Sequence, residues 1–267
     1  MAGVTIAFSG KGGSGKTTLA AMVLRELLRT GQAPLLAVDA DPNATLALAL
    51  GVPCAETIAD LRDRMGEAAQ KPGEIPKERL MDQWLVELLS EQKGYDLLTM
   101  GRPEGPKCYC YVNSLLRRYL SLLRTNYACT IVDCEAGMEY LSRLTVDEID
   151  ALVLVAEDTP VGLTTARRIA ALADSLPVRV RRRIVAINKV RLADTDRSAS
   201  QLDFVVENAE AVVPVPFDPD LAERSALGTA IDDSAGPQAR PAIEQLVKLC
   251  LDPAVRLAAS AKEENGR

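Results

Sequence analysis

Short apolar runs alternate along the chain with longer stretches whose apolar residues recur at helical spacing. That alternation predicts a parallel sheet with crossover helices. Residues 4–8 read as a strand and 17–28 as a helix. Residues 35–38 form a second strand that ends in Asp39 and Asp41. From about 56 to 91 the pattern gives two helical stretches, broken by the prolines within 72–76. Residues 97–100 read as a strand followed by a turn-rich segment at 101–107, and 113–124 as a helix. Residues 130–132 form a buried strand running into Asp133. Further strands fall at 151–156, 184–188 and 212–215, with helices near 163–176 and 239–250. No internal repeat or long linker divides the chain. The expected architecture is one α/β domain over 1–251: a mostly parallel, doubly wound sheet flanked by helices. A helical insertion at about 52–91 lies outside the sheet, and 252–267 is a polar tail.

Composition narrows the picture. The 267 residues are 48% hydrophobic but only 4% aromatic, so aliphatic side chains must build the core. Acids outnumber bases by 37 to 31, which argues against a nucleic-acid-binding face. No apolar run reaches the length of a membrane span. The first residues enter a strand without the basic start and apolar core of a secretory leader, so a cytoplasmic location is expected. There the six cysteines are expected as thiols or metal ligands rather than disulfides. The chain has no His, which removes the usual neutral-pH general base and the commonest nitrogen ligand.

The segment Gly10-Lys11-Gly12-Gly13-Ser14-Gly15-Lys16-Thr17 matches the full phosphate-loop pattern, with a strand before it and a helix after it. Glycines let the backbone N–H groups of Gly12, Gly13, Ser14, Gly15 and the following residues through Thr18 curl around phosphate oxygens. The helix start adds its positive dipole end. Lys16 is expected to reach the β- and γ-phosphates of ATP, and the Thr17 hydroxyl to hold Mg²⁺.

Lys11 makes the motif more specific. With a second lysine at the start of the loop, the chain resembles the deviant Walker A ATPases. These include the MinD and ParA partition proteins, the nitrogenase iron protein, arsenite-pump ATPases and nickel-insertion ATPases. The resemblance implies a homodimer in which Lys11 crosses to the partner's phosphates. A cation supplied in this way would stabilise the charge that spreads over the γ-phosphoryl oxygens during hydrolysis.

Carboxylates at the carboxyl ends of parallel strands sit where open α/β sheets bind ligands. The resemblance assigns Asp39-Ala40-Asp41-Pro42 to switch I. Asp41 would then orient the attacking water and Asp39 would support Mg²⁺ indirectly, although both residues also suit a helix cap. Ile131-Val132-Asp133-Cys134-Glu135-Ala136-Gly137 reads as Walker B and switch II. Asp133 is expected to hold Mg²⁺ waters and Gly137 to offer its N–H to the γ-phosphate. Asn188 and Lys189 end a late strand, and Asn188 can hydrogen-bond an adenine edge in both directions. Arg191 stands where a guanine reader would have Asp, which favours ATP. Pro214, Pro216 and Phe217 would form the other wall of the base pocket.

Cys108-Tyr109-Cys110 follows a Gly/Pro-rich turn and leads into a helix, where a thiol ionises more readily. Two cysteines supply half of a four-thiolate site, and a two-fold dimer would supply the rest. This pair, with Asn113-Ser114 and Asp133-x-Glu135-Ala136-Gly137-x-Glu139, resembles the CooC-type nickel-insertion ATPases, from the N-terminus to about Cys250. Tyr140 departs from the His expected in many relatives. The resemblance implies an ATP-dependent metallochaperone binding Ni²⁺, or Zn²⁺ in the same site, at the dimer interface. Its client would be apo carbon monoxide dehydrogenase or acetyl-CoA synthase. Cys54, Cys129 and Cys250 read as buried hydrophobes. Cys134, inside switch II, is open to a ligand or redox role.

Two alternatives share the nucleotide motifs. A partition or positioning ATPase would bind DNA or membrane, but the tail lacks the apolar face of a membrane-anchoring helix. The basic cluster Arg179, Arg181, Arg182 and Arg183 reads as a solvated strand edge. An iron–sulfur reductase resembling the nitrogenase iron protein is the other.

Overall fold

The computed structural model describes residues 3–53, 56–68, 84, 87–102, 109–135, 148–191, 206 and 208–252. Its strands are β1 (Val4–Gly10), β2 (Leu35–Ala40), β3 (Leu89–Gln92), β4 (Tyr95–Thr99), β5 (Cys129–Cys134), β6 (Glu148–Ile149), β7 (Ala151–Glu157), β8 (Arg179–Val180), β9 (Arg183–Val190) and β10 (Ala211–Pro216). The helices are α1 (Lys16–Arg29), α2 (Thr45–Leu50), α3 (Ile58–Ala68), α4 (Tyr109–Leu123), α5 (Pro160–Ser175), α6 (Pro219–Leu227) and α7 (Arg240–Leu251).

Eight strands form one sheet in the order β10-β9-β7-β1-β5-β2-β4-β3. Every neighbouring pair is parallel except β3–β4. The sheet is apolar on both faces, as the near-continuous apolar strands require. Ile6, Phe8, Leu35 and Ala37 pack with Leu19, Leu24, Leu46 and Ile243 of α1, α2 and α7. Ala7, Leu36 and Val38 pack with Ile58, Leu115, Tyr119 and Ile169 of α3, α4 and α5. The result is a three-layer α/β/α sandwich.

The position of β1 fixes where ligand chemistry must occur. It lies between β5 and β7, with Phe8 opposite Asp133 and Gly10 opposite Val155. The β2–β5 register sets Asp39 beside Asp133. The phosphate loop, Asp39 and Asp133 therefore emerge together at the carboxyl rim, at the point where the strand order reverses.

Two features correct the sequence reading. Helical character was expected up to residue 91, yet Leu89–Gln92 is an antiparallel edge strand. Gly94, at φ 88°, closes the two-residue turn into β4, and that turn overrides the helical spacing. The arginine cluster is also only in part a solvated edge: Arg179 is exposed on β8, but the others are drawn inward. Arg182 has only 6% of its side chain exposed; it pairs with Glu210 at 3.2 Å and donates to the Leu249 carbonyl. Arg181 pairs with Glu148 at 2.6 Å and Arg183 with Asp174, while Arg179 lies 3.8 Å from Glu148. Acidic neighbours neutralise the cluster, so it presents no block of free positive charge. Among the described residues no helix is long and apolar enough to cross a membrane.

Candidate nucleotide site

β1 ends at Gly10 and α1 begins at Lys16, so the loop between them needs backbone shapes that side chains resist. Gly13 has φ 79° and Gly15 has φ 96°, both in the left-handed region. A Cβ on Gly15 would also sit 2.2 Å from the Asn188 amide nitrogen. Lys16 is buried and folds back, its ammonium donating to the Lys11 carbonyl at 3.2 Å. Lys11 is exposed.

The loop is tied to β5 on one side and to β9 on the other. The Thr17 hydroxyl donates to Asp133 Oδ2 at 2.6 Å and lies 3.3 Å from the Thr45 hydroxyl. On the other side, Asn188 Nδ2 donates to the Ser14 carbonyl at 2.8 Å. Lys189 Nζ donates to the Gly13 carbonyl at 2.7 Å and to Glu157 at 2.8 Å.

Asp133 is 1% exposed, and its Oδ1 has no hydrogen-bond partner among the described residues. The same holds for the Ser14 hydroxyl. Burial pushes the Asp133 carboxyl up to about 7; the Thr17 hydrogen bond and Lys16 oppose the shift, and nearby Asp39 adds to it. A buried oxygen-rich set, with an orphaned carboxylate oxygen beside a threonine hydroxyl, fits a hard cation such as Mg²⁺. Thr17 would be its ligand, with Asp133 holding its waters, and the ion would supply charge neutralisation at the phosphates.

The segment expected to form switch I is built from the same rim. Asp39 is fully buried and accepts from the backbone N–H groups of Leu46 at 2.7 Å, Ala47 at 3.2 Å and Asp41 at 3.2 Å. It thus caps α2 from seven and eight residues upstream. Burial still raises its carboxyl to about 6. The residue at the N-cap position itself, Ala44, has φ 53° and offers no side-chain cap. Asp41 Oδ1 accepts from both the backbone and side-chain N–H of Asn43 at 2.8 Å, a local turn that fixes its carboxylate at the rim.

Of the residues expected in the base pocket, Phe217 is 45% exposed, and its backbone N–H donates to Val190 at 2.8 Å. Pro214 lies within β10, an edge strand, where a missing N–H is tolerated. A register shift between Pro214 and Pro216 turns the chain toward Phe217. Sequence reading did not single out Thr45 or Glu157. Neither carries a motif signal, because each acts through a contact distant in sequence.

Gly137, Cys54 and Cys108 lie outside the described residues. Cys110 lies in the first turn of α4, and its side chain is not described. Cys129, Cys134 and Cys250 are buried thiols outside any disulfide. Burial first, and Asp133 second, push the Cys134 thiol upward, away from the metal-binding thiolate. Among the described residues no three His, Cys, Asp or Glu side chains form a metal-holding group.

Residues 5–231 match the CobQ/CobB/MinD/ParA nucleotide-binding domain model. An uncharacterized ATP-binding protein of Methanocaldococcus jannaschii is 39% identical over 189 residues, covering 70% of this chain and 74% of that protein. The carbon monoxide dehydrogenase accessory protein CooC of Rhodospirillum rubrum is 31% identical over 243 residues, covering 85% and 89%. Among solved structures, a ParA family ATPase from Chlorobium tepidum superposes with TM-score 0.68 at 19% identity, covering 92% of this chain and 99% of that one. The septum site-determining protein MinD with Mg-ADP from Pyrococcus horikoshii gives 0.65 at 22%, covering 95% and 99%. These two likenesses bear on the fold.

Two predictions follow the buried carboxylates. Mg²⁺ favours the ionised form of Asp133, so its binding expels a proton below about pH 7. Affinity for Mg·ADP, measured by calorimetry, should climb with pH and level off above 7. Because the folded carboxyl sits above its unfolded value, its stabilising contribution to the apo fold is present at low pH and lost as pH rises through about 7. Asp133→Asn should therefore melt higher than wild type at pH 8, by on the order of 1–3 kcal/mol, while losing the added stability that Mg·ADP confers. A lower apo melting point would contradict this account of the carboxylate. Ala44→Gly should relieve the left-handed alanine and stabilise the apo fold by about 0.5–1 kcal/mol in urea titration; a loss of stability would show that this backbone carries no strain.

Proposed function

This chain belongs to the CobQ/CobB/MinD/ParA nucleotide-binding domain family of P-loop ATPases, and from that premise we propose that it is an ATP-dependent metallochaperone. It binds nickel through Cys108 and Cys110 at a homodimer interface. It uses hydrolysis of ATP to ADP and phosphate to insert the metal into carbon monoxide dehydrogenase or acetyl-CoA synthase. The observation that carries this reading is the 31% identity to the carbon monoxide dehydrogenase accessory protein over 85% of the chain. The Cys-x-Cys pair gives the identity a chemical object, since four thiolates from two chains suit Zn²⁺ tetrahedrally or Ni²⁺ in a plane.

Geometry supports a link between the nucleotide and the cysteines. β4 leads toward the cysteine segment, and α4, which carries Cys110 in its first turn, runs back to β5. At the exit of β4 the Met100 N–H donates to the Asp39 carbonyl at 2.8 Å, and the Met100 carbonyl accepts from Ala59 in α3. The exit of β4, from which the chain continues toward the cysteines, is therefore bonded to the residue that caps α2. In this reading Lys11 reaches the partner's phosphates, Lys16 binds the β- and γ-phosphates, and Asp41 orients the attacking water. Closure around ATP shapes the shared thiol site, and hydrolysis loosens it to release the metal. The cytoplasm, which keeps thiols reduced, is the compartment this chemistry requires.

Titration with Ni²⁺ or Zn²⁺, followed by metal analysis and sizing chromatography with and without an ATP analogue, tests the proposal. Wild type should take up roughly one ion per dimer, as a shared four-thiolate site requires. The Cys108→Ala/Cys110→Ala variant should take up none while still binding ATP. Equal metal in both proteins would sink the metallochaperone reading. Salt-sensitive DNA binding without metal uptake would replace it with a partition ATPase, and a brown iron-containing protein after anaerobic purification with a reductase.

A further inference from the structure

Asn188 is expected to read the adenine edge, and one of its two amide hydrogens and one of its oxygen lone pairs are also engaged elsewhere. Nδ2 donates to the Ser14 carbonyl at 2.8 Å, and Oδ1 accepts the Lys189 backbone N–H at 2.9 Å. Asn188 is 8% exposed and lies against Gly15, where a Cβ would meet Nδ2 at 2.2 Å. Lys189 adopts φ 61°, which few non-glycine residues do, and its ammonium spans Gly13 O and Glu157. Glu157 stands opposite Asn188 in the β7–β9 register, so one strand pair carries the whole bracket.

A peptide plane points its C=O and its N–H in opposite directions. Pinning the Ser14 carbonyl on the β9 side aims the Gly15 N–H away from β9, toward the hollow of the loop. Three further loop carbonyls are also occupied: Lys11 O by Lys16 and by the Ser14 N–H, Gly13 O by Lys189, and Gly15 O by the Leu19 N–H. With these acceptors engaged, the loop is left to present donors to an anion, which is the condition for a phosphate nest.

We propose that Asn188 and Lys189 are positioning residues for the phosphate loop: they set affinity for the polyphosphate through the loop backbone, whatever base is attached. This inference rests on the nucleotide-binding reading of the site. It makes their contribution to affinity for the phosphate chain independent of any preference for adenine.

The test is direct calorimetric titration of Mg·ATP, Mg·GTP and Mg·tripolyphosphate into wild type, Asn188→Ala, Asn188→Asp and Lys189→Met, with a thermal melt of each apo protein. Asn188→Ala should weaken all three ligands by the same factor, about tenfold for one lost buried hydrogen bond. Asn188→Asp should do worse than Ala, because a carboxylate facing the Ser14 carbonyl repels it. Lys189→Met removes an exposed contact and should give a smaller loss, again equal across the ligands. If Asn188→Ala weakens ATP while tripolyphosphate binding stays at the wild-type value, Asn188 reads the base and the proposal falls. If the Asn188 variants fail to fold, Lys189→Met decides: an ATP-selective loss, or none, overturns it. Wild type that binds none of the three ligands would instead remove the nucleotide-binding reading itself.

Discussion

The 2.6 Å hydrogen bond from the Thr17 hydroxyl to the buried Asp133 carboxylate joins the first turn of α1 to the end of β5. It holds the place a metal ion would need. Thr17 must give an oxygen lone pair to Mg²⁺ while keeping its proton on a carboxylate, and Asp133 already accepts that proton through one oxygen while the other lacks a partner. The arrangement is costly in the apo state. Asp39 and Asp133 are both buried at one rim; burial raises both carboxyls and Asp39 raises that of Asp133 further, with Lys16 as the nearby cation. A divalent cation with phosphates would redistribute that charge. The site is thus built for its ligand rather than for its own stability, a compromise common at functional sites.

The same economy explains switch I. α2 is a short helix of six residues with no side-chain cap of its own and an alanine in the left-handed region before it. Isolated helices of this length do not persist, so tertiary contacts must hold it. Those contacts are the Asp39 carboxylate at Leu46 and Ala47, the Thr45–Thr17 approach, and the burial of Leu46 and Leu50. Two of the three involve groups that a bound metal ion would engage or whose charge it would rebalance. The position of α2 is therefore conditional on what occupies the phosphate loop, which the helix's own sequence could not achieve.

Features carried by local pattern were legible in the sequence. The phosphate loop is a contiguous motif, and the central strands are apolar runs buried on both faces, so both could be read without knowing the fold. The parallel sheet follows from the alternation of strands and helices. Reading failed where a distant residue decides the outcome. Leu89–Gln92 is a strand because Gly94 turns it onto β4. Arg182 is buried because Glu210 and the end of α7 receive it. Asp39 caps a helix that starts six residues after it, too far for the usual capping signature to register. Thr45 and Glu157 bear no motif at all. The cysteine pair presents the opposite case: spacing and resemblance drew attention to it, while Cys108 falls outside the described residues.

These contacts also bear on how a signal could travel from phosphate to thiol. Coupling requires an element with two arrangements that both sites bias. β2 and β4 are rigid, buried strands and are poor candidates. The rim above them differs. Asp39 uses its carboxylate to hold α2 and its carbonyl to hold Met100, so one residue is bonded to switch I on one side and to the exit of β4 on the other. Met100 is bonded in turn to Ala59 of α3, and Gly101, at φ 71°, packs against Thr57 just before that helix. A change in charge near Asp133 and Asp39 would therefore act first on α2, which is conditionally held, and next on the Met100–Gly101 turn, from which the cysteine segment departs. The sheet need not move for the rim to respond.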